Sequence, residues 1–593
     1  MIRQYDSGAR LRVKKHSHKD KNKQGCESGA FNSSFVTMHS RFQSNNSRTP
    51  SIGHNFTRRE VLAAFLGLPV ALAACSSRET PHFPEGEIVG ASDQVGHRLR
   101  DGINVTPSQD RWERASVVII GGGVAGLSAA WTLLKAGFDD FVLIELERAP
   151  GGTARSGTSS VVAYPWGAHY LPAPMKENTA LVSLLDEMDV LEGRDSSGAP
   201  IVREQYLCRD PEERVYYRGR WYEGLYLRAG ASSEDLAQLD AFNAEVSRWV
   251  AWKDARSRRA FAIPVATGSD DAEVTALDKI SMSEWLAARG WNSPRLRWLI
   301  DYGCRDDYGL TIDQTSAWAG LFYSASRVAK AGEDAAPLIT WPEGNGRLVA
   351  HLYKKAQAKI RLGLAAAEIV PVDSNGKSGV DVIAIDHDAQ SAIGFHADRV
   401  IFAAPHFLTR YLVRPFRENT PPHIAEFQYG VWMVANLFLK ERPVSRGFPL
   451  AWDNVLYESP SLGYVVATHQ RGLDRGPTVF TYYYPMCDAD PREARSKLLE
   501  MDWQSCADVA LTDLSRPHPD IRSLVERLDV MKWGHAMIRP RPGFVWSEAR
   551  QKGATPHRGI HFAHTDLSGV ALFEEAFYHG IRAANEVLAS RKP

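Results

Sequence analysis

Residues 116–126 read Ser116-Val117-Val118-Ile119-Ile120-Gly121-Gly122-Gly123-Val124-Ala125-Gly126. The β-branched run Val117–Ile120 predicts a strand buried on both faces, as in a parallel sheet. Glycines at 121, 123 and 126 then give a G-x-G-x-x-G spacing. A helix is expected next, with Val124, Leu127, Trp131 and Leu134 on one face and Gly137 closing it. Phe141–Ile144 reads as a second strand, with Glu145 at its end. Each part has a physical task in a dinucleotide site. Gly121 permits the tight turn, Gly123 lets the backbone approach a pyrophosphate, and Gly126 lets helix and strand pack closely. Val124 and Ala125 open the helix, whose free N–H groups and dipole favour phosphate. Glu145 accepts hydrogen bonds from ribose hydroxyls and repels a 2′-phosphate. The order strand, glycine turn, helix, strand, acid predicts an α/β fold of the Rossmann type.

Beyond Glu145 the chain continues Gly151-Gly152-Thr153-Ala154-Arg155-Ser156, then Trp166-Gly167-Ala168-His169-Tyr170. This resembles the stretch of the flavin-containing amine oxidases in which a double glycine and an arginine line the FAD. Thr153 stands where that family usually has arginine, and Arg155 matches the second arginine of the pattern. At the far end, residues 561–588, HFAHTDLSGVALFEEAFYHGIRAANEVL, resemble the family's closing FAD motif. There a strand over Gly559–Ala563, a turn, and an amphipathic helix over Val570–Ala589 with Ser568 near its cap are expected. The match implies that Asp566 holds the ribityl or phosphate portion and that the helix start faces the pyrophosphate. His564 and Glu575 stand where the family usually has glycine.

Between these ends, Trp341–Leu348, with Gly344, resembles the family's glycine turn beside the isoalloxazine. Ile360-Arg361-Leu362-Gly363, with Ala366, resembles the strand that meets the adenine, and Ala397–Pro405 the strand that closes the domain. The resemblance implies FAD as cofactor and a discontinuous Rossmann-type FAD-binding domain built from 113–180, 335–410 and 531–593. An α+β substrate domain of mixed sheet and helices is then inserted as 181–334 and 411–530. Its first part is helix-rich by pattern. Its second alternates strands at Val431–Leu439, Gly463–Thr468 and Thr478–Tyr484 with a helix near Pro491–Leu514.

The densest substrate chemistry is Cys304-Arg305-Asp306-Asp307-Tyr308-Gly309. Adjacent carboxylates beside aromatics hold a cationic amine; the same pair also reads as a helix cap, with Arg305 in a salt bridge. The string resembles the spermidine-dehydrogenase-like branch of the family. Trp533 and His535, in Lys532-Trp533-Gly534-His535, read either as walls of the substrate cavity or as a packed core pair. The resemblance places an aromatic of the usual substrate cage at Leu572, where none stands, and Tyr482, Tyr483 and Tyr484 are candidates to replace it. No lysine is assigned to the flavin N5; Lys440 sits on a strand.

The first seventy-five residues read as an address. Residues 1–60 hold 12 Lys/Arg against 4 Asp/Glu and lack apolar periodicity. Arg58-Arg59 precedes the apolar run Val61–Ala74, too short to span a bilayer, and Leu72-Ala73-Ala74-Cys75 closes it. The pattern resembles a twin-arginine export signal with a lipobox, lipidated at Cys75, and Met38 is an alternative start. Residues 76–112 read as a linker arm. The expected location is the bacterial periplasm or cell envelope, with membrane attachment by the lipid anchor only. Lys+Arg and Asp+Glu are 70 each, which removes the broad attraction that nucleic-acid binding needs. Six cysteines, at 26, 75, 208, 304, 487 and 506, fit neither a disulfide framework nor a metal site.

These readings converge on an exported FAD oxidoreductase that takes hydride from a small-molecule amine, a polyamine being one candidate, and is reoxidised by O2 or an electron-transfer acceptor. Two other readings stay open: an FAD-dependent desaturase of an apolar, carotenoid- or porphyrin-like molecule, and a non-catalytic flavin-binding surface lipoprotein.

Overall fold

The computed structural model describes residues 83–590 apart from 104, 375–376 and 387–390. The expected signal, Cys75 and the alternative start at Met38 lie outside the described residues.

The strand Trp112–Ile120 is the centre of a seven-stranded sheet. Its side chains alternate between two cores: Val117 and Ile119 face the helices Val124–Lys135 and Phe573–Ala589, whereas Val118 and Ile120 face Ile369, Val382 and Phe402. Both faces are therefore covered, which is why the run is continuously apolar. Ile360–Leu362, Phe141–Glu145, Trp112–Ile120, Ala392–Phe402 and Ile560–Phe562 run parallel. The long strands Leu364–Ser374, Lys377–Asp386 and Ala392–Phe402 form an antiparallel meander at one side. Three separate stretches of chain thus meet in one sheet.

An eight-stranded mixed sheet forms a second layer. Its order is Ile88–Gly90, Val525–Ile538, Tyr429–Leu439, Thr478–Pro485, Gly463–Val466, Asp453–Leu456, Glu213–Tyr217 and Arg220–Glu223. The helices Pro491–Glu500 and Trp503–Leu514 cover one face, packing Leu498 and Leu511 on Met433, Leu437 and Tyr482. The other face, with Trp432, Val434 and Tyr483, joins the helices Ser233–Ala251, Pro294–Tyr308 and Ala317–Ala325.

Several expectations are corrected here. The boundary expected at 531 falls inside Val525–Ile538, which belongs to the second sheet. The expected linker arm is in part structural: Ile88–Gly90 adds a parallel edge strand to that sheet, and Asp93–Asp101 is a helix. The single helix expected near Pro491–Leu514 is two, because Asp502 caps the second by accepting from the Ser505 N–H. The hairpin Glu213–Tyr217/Arg220–Glu223 lies in the stretch expected to be helical. The last helix starts at Phe573, and Ser568 lies before it in a turn instead of at its cap.

Candidate functional site

The glycine turn follows the physical tasks read from its spacing. Gly121 has φ +104°, and a Cβ there would come 2.8 Å from the Ala403 carbonyl oxygen. A Cβ on Gly126 would sit 1.9 Å from the Gly121 oxygen, so only glycine lets this helix rise so close to the strand. Gly123 differs: a Cβ there would meet no protein atom within 4 Å. The protein itself places no demand on Gly123, and its backbone fronts open space. No side chain caps the helix Val124–Lys135, so its first N–H groups are left to another partner. Gly151 donates its N–H to the Gly122 carbonyl at 2.8 Å, which lays the second glycine pair, Gly151-Gly152, against the first turn.

Glu145 ends its strand with its carboxyl turned to this turn, accepting from the Gly122 N–H at 2.5 Å and the Glu147 N–H at 2.8 Å. Burial pushes its pKa up, and those two N–H groups oppose the shift. Open space at Gly123, an uncapped helix start and an acid at the strand end fit the phosphates and ribose of FAD.

Arg155 leaves this turn toward the second sheet. It pairs with Glu147 at 3.5 Å, and its guanidinium lies 5.8 Å from the Trp533 ring centre. Trp533 donates its indole N–H to the Trp166 carbonyl at 2.8 Å. The segment Trp166–Tyr170 is therefore clamped between the layers. Asn436 reaches the Pro165 carbonyl at 3.1 Å and Tyr483 the Gly167 carbonyl at 2.9 Å. From the other side Asn345 bonds the Ala168 and Tyr170 carbonyls. Gly344 (φ +58°) packs so closely that a Cβ would lie 2.7 Å from the His169 Cα. Asn345 Oδ1 is buried without a hydrogen-bond partner in the protein.

Tyr170 connects this segment to the carboxylates. Its hydroxyl lies 3.4 Å from Asp306 Oδ2 and 3.3 Å from Asp307 Oδ1. Both acids sit in the last turn of Pro294–Tyr308, where the helix dipole disfavours negative charge, so the capping reading does not apply to them. Arg305 does make a salt bridge, to Asp301 at 2.6 Å, away from the pair. Asp307 is bonded to Arg327 at 2.6 Å, with both side chains almost fully buried. Asp306 is only partly buried as a residue, yet desolvation of its carboxyl, joined by the charge of Asp307, pushes its pKa up to about 7.

Further acids that sequence reasoning missed gather here. Asp453 accepts from the Tyr302 hydroxyl at 2.8 Å, and burial with the charge of Asp306 holds its pKa well above the usual range. Glu574 is buried in the first turn of the last helix, pushed up to about 7 by burial, with Arg327 opposing and Asp307 adding to the shift. Tyr323 and Tyr170 flank Arg327, at 4.6 and 5.8 Å from their ring centres. His169 stacks on Tyr483 at 4.9 Å and leans on Trp452; burial lowers its pKa to about 4, so it is neutral. Tyr483 is thus the member of the tyrosine run that faces this region, whereas Tyr482 points to Asp513 on the opposite face. No local sequence signal marks Asp453. Glu574 was legible only as part of an amphipathic helix.

Other sequence-predicted residues lie elsewhere. His535 stacks on Phe407 at 4.2 Å and meets Tyr429 edge-on, so its ring packs against neighbours other than those of Asp306 and Asp307. Ala366 is buried in the antiparallel meander beside Ala384. Asp566 Oδ2 accepts from the His406 N–H (2.9 Å) and the Tyr429 hydroxyl (2.6 Å), whereas Oδ1, 2.8 Å from His564 Nδ1, is buried without a hydrogen-bond partner in the protein. The first turn of the last helix carries Glu574 and Glu575. Glu575 accepts from the Val265 N–H at 2.7 Å and the Ser568 hydroxyl at 2.5 Å. Every lysine whose burial is described is exposed or at most half-buried, Lys440 among the exposed.

The family described as flavin containing amine oxidoreductase matches residues 124–588. Dimethylglycine dehydrogenase, mitochondrial, of Rattus norvegicus is 46% identical over 56 residues, a match spanning 9% of this chain and 6% of that protein's length. Among solved structures, putrescine oxidase with bound putrescine has TM-score 0.56 at 17% identity, over 81% of this chain and 100% of that one. Cyclohexylamine oxidase from Brevibacterium oxydans has TM-score 0.55 at 15% identity, over 80% and 99%. A fatty acid isomerase from P. acnes has TM-score 0.55 at 15% identity, over 81% and 99%. At these identities the likeness establishes the fold alone, whereas the family match covers most of the chain. The chain belongs to the flavin containing amine oxidoreductase family and is an FAD-dependent oxidoreductase.

Proposed function

We propose that this chain oxidises an amine carrying more than one positive charge, a polyamine. The observation that supports this reading is the charge count around Tyr170: Asp306, Asp307, Asp453 and Glu574 converge there, with Arg327 as the buried cation among them. A site with an excess of desolvated carboxylates holds an ammonium far better than an apolar desaturase substrate. Putrescine, a diamine, is bound by one of the structures with this fold.

In this reading Gly121, Gly123, Val124, Ala125, Gly126 and Glu145 hold the nucleotide half of FAD, and Gly151, Gly152, Arg155 and Gly344 border its remainder. The chemistry that bound FAD supplies is acceptance of a hydride from the amine's α-carbon, after which water hydrolyses the imine. The chain's own residues bind and orient. Asp306 takes a distal ammonium, Asp453 and Glu574 are buried carboxyls that a bound cation would bring to ionise behind it, and Tyr483, Trp452 and Tyr170 supply aromatic faces for the cation and its methylene chain. The stretch Arg58–Cys75 supports export in the folded state and lipidation at Cys75, with O2 or a membrane electron carrier as the final acceptor.

Anaerobic visible spectroscopy of the purified protein tests this. Addition of spermidine or putrescine should bleach the flavin band near about 450 nm, and a simple monoamine should do so only at far higher concentration. Bleaching by apolar desaturase substrates, with no response to amines, refutes the reading; no response to either moves the case to a non-catalytic flavoprotein.

A further inference from the structure

Two loops leave the same end of the second sheet. Leu439 and Thr478 are paired in register, so residues 440–452, which follow Leu439, and 467–477, which precede Thr478, emerge side by side. Each loop carries an arginine–X–apolar–X–arginine pentad: Arg442-Pro443-Val444-Ser445-Arg446 and Arg471-Gly472-Leu473-Asp474-Arg475. The apolar centres are among the few exposed large hydrophobic residues described, Val444 at 77% and Leu473 at 49%. The loops also touch: Arg442 donates to Thr468 Oγ1 at 2.8 Å. The guanidinium of Arg209 lies against Gly472, and the side chain of Arg220 lies against Gly447. Arg446, Arg471, Arg475, Arg209 and Arg220 are exposed. Within the two loops Lys440, Arg442, Arg446, Arg471 and Arg475 outnumber the acids Glu441 and Asp474, a surplus of positive charge.

We propose that this end of the second sheet docks on an anionic phospholipid surface. Val444 and Leu473 enter the boundary between headgroups and acyl chains, and the exposed Arg446, Arg471 and Arg475 beside them face the lipid phosphates. Guanidinium pairs phosphate oxygens in a fork and is weakly hydrated, which suits it to a headgroup layer. The apolar side chains stand at loop tips and line no groove. A bilayer interface accepts a protruding aliphatic group without a matching pocket, whereas an acidic protein surface would leave it in polar surroundings. This contact involves only the folded body, and neither Cys75 nor the carboxylates about Tyr170 take part in it.

The test is sedimentation of the full chain with vesicles of phosphatidylcholine alone or mixed equally with phosphatidylglycerol, at low and high salt. Two variants are compared with the unmodified chain, Val444→Asp/Leu473→Asp and Arg446→Glu/Arg475→Glu, with thermal melts to show that both stay folded. Each should lower partition onto phosphatidylglycerol vesicles by about tenfold or more. Salt should weaken binding of the unmodified chain, and oxidation of a soluble amine should be unchanged. Any contribution from the basic residues before Val61 is common to all three proteins. Equal partition of all three overturns the proposal. Loss in the charge-reversed variant alone also overturns it, since the surface then reads as a dock for an acidic protein.

Discussion

Arg327 Nη2 and Asp307 Oδ2 lie 2.6 Å apart with side chains 3% and 4% exposed, a buried ion pair joining the end of one substrate-layer helix to the loop after the next. Arg327 Nε and Nη1 find no other hydrogen-bond partner. The pair consumes one acid of the adjacent Asp306-Asp307 and the buried cation, which leaves the raised carboxyls of Asp306, Asp453 and Glu574 to ionise against a cation that enters. Removing Asp307 strands a buried guanidinium. Asp307→Ala should therefore destabilise the protein by about 3–5 kcal/mol, read from urea unfolding, whereas Asp186→Ala, which breaks the exposed pair with Arg194, should cost about 1 kcal/mol or less.

Asp306 has a different role. Asp306→Asn should raise KM for spermidine and putrescine several-fold more than for a monoamine of the same chain length, with kcat less affected. Its pKa is raised to about 7, so its charged form appears as pH rises through that value. KM for a diamine should fall between about pH 6 and 8 in the unmodified enzyme and stay nearly flat in Asp306→Asn. Equal KM changes for mono- and polyamines would remove Asp306 from the anchoring role.

Gly123 and Gly126 separate cofactor binding from folding. Gly126→Ala places a Cβ where the Gly121 oxygen already sits and should lower the melting temperature as well as flavin content. Gly123→Ala meets no protein atom and should leave the melting temperature of the flavin-free protein unchanged while flavin retention falls at least tenfold. Full flavin content in purified Gly123→Ala would place the nucleotide elsewhere.

Glu575 carries a pH limb. Burial lifts its pKa to about 7 from the ordinary 4.5, so the folded state holds a proton that the unfolded chain releases. Its contribution to stability is complete below about pH 4.5 and is lost as pH rises through about 7, each tenfold difference in proton affinity between the two states being worth roughly 1.4 kcal/mol. Glu575→Gln puts a neutral amide of the same size in place of the protonated carboxyl. Its melting temperature relative to the unmodified protein should climb between pH 5 and 8. A constant difference across that range would show that Glu575 is ionised in the fold.

The nucleotide half was legible because its requirements are local. Close packing at Gly126, the positive φ of Gly121 and an acid at the strand end each follow from residues within one strand–turn–helix–strand unit. The substrate half was legible only in fragments. Asp306-Asp307 stood out as a pair, but nothing in the sequence told a helix start from a helix end, and that difference turns a cap into a pair of carboxylates held against the dipole. His535 looked equivalent to Trp533 by proximity in sequence. On the strand Val525–Ile538 the two make separate contacts, one with Phe407 and the other with Trp166.

By itself the sequence determined the α/β architecture, because periodicity and glycine geometry act over short spans of chain, and its resemblance to the flavin-containing amine oxidases implied the discontinuous nucleotide sheet and FAD. Only the tertiary structure decided which carboxylates share a site. Asp306, Asp453 and Glu574 come from a helix end, a strand of the second sheet and the start of the last helix. Desolvation raises the pKa of each, and a nearby acid adds to it, Asp307 for Asp306 and for Glu574, and Asp306 for Asp453, effects set by distance in space and invisible to distance along the chain.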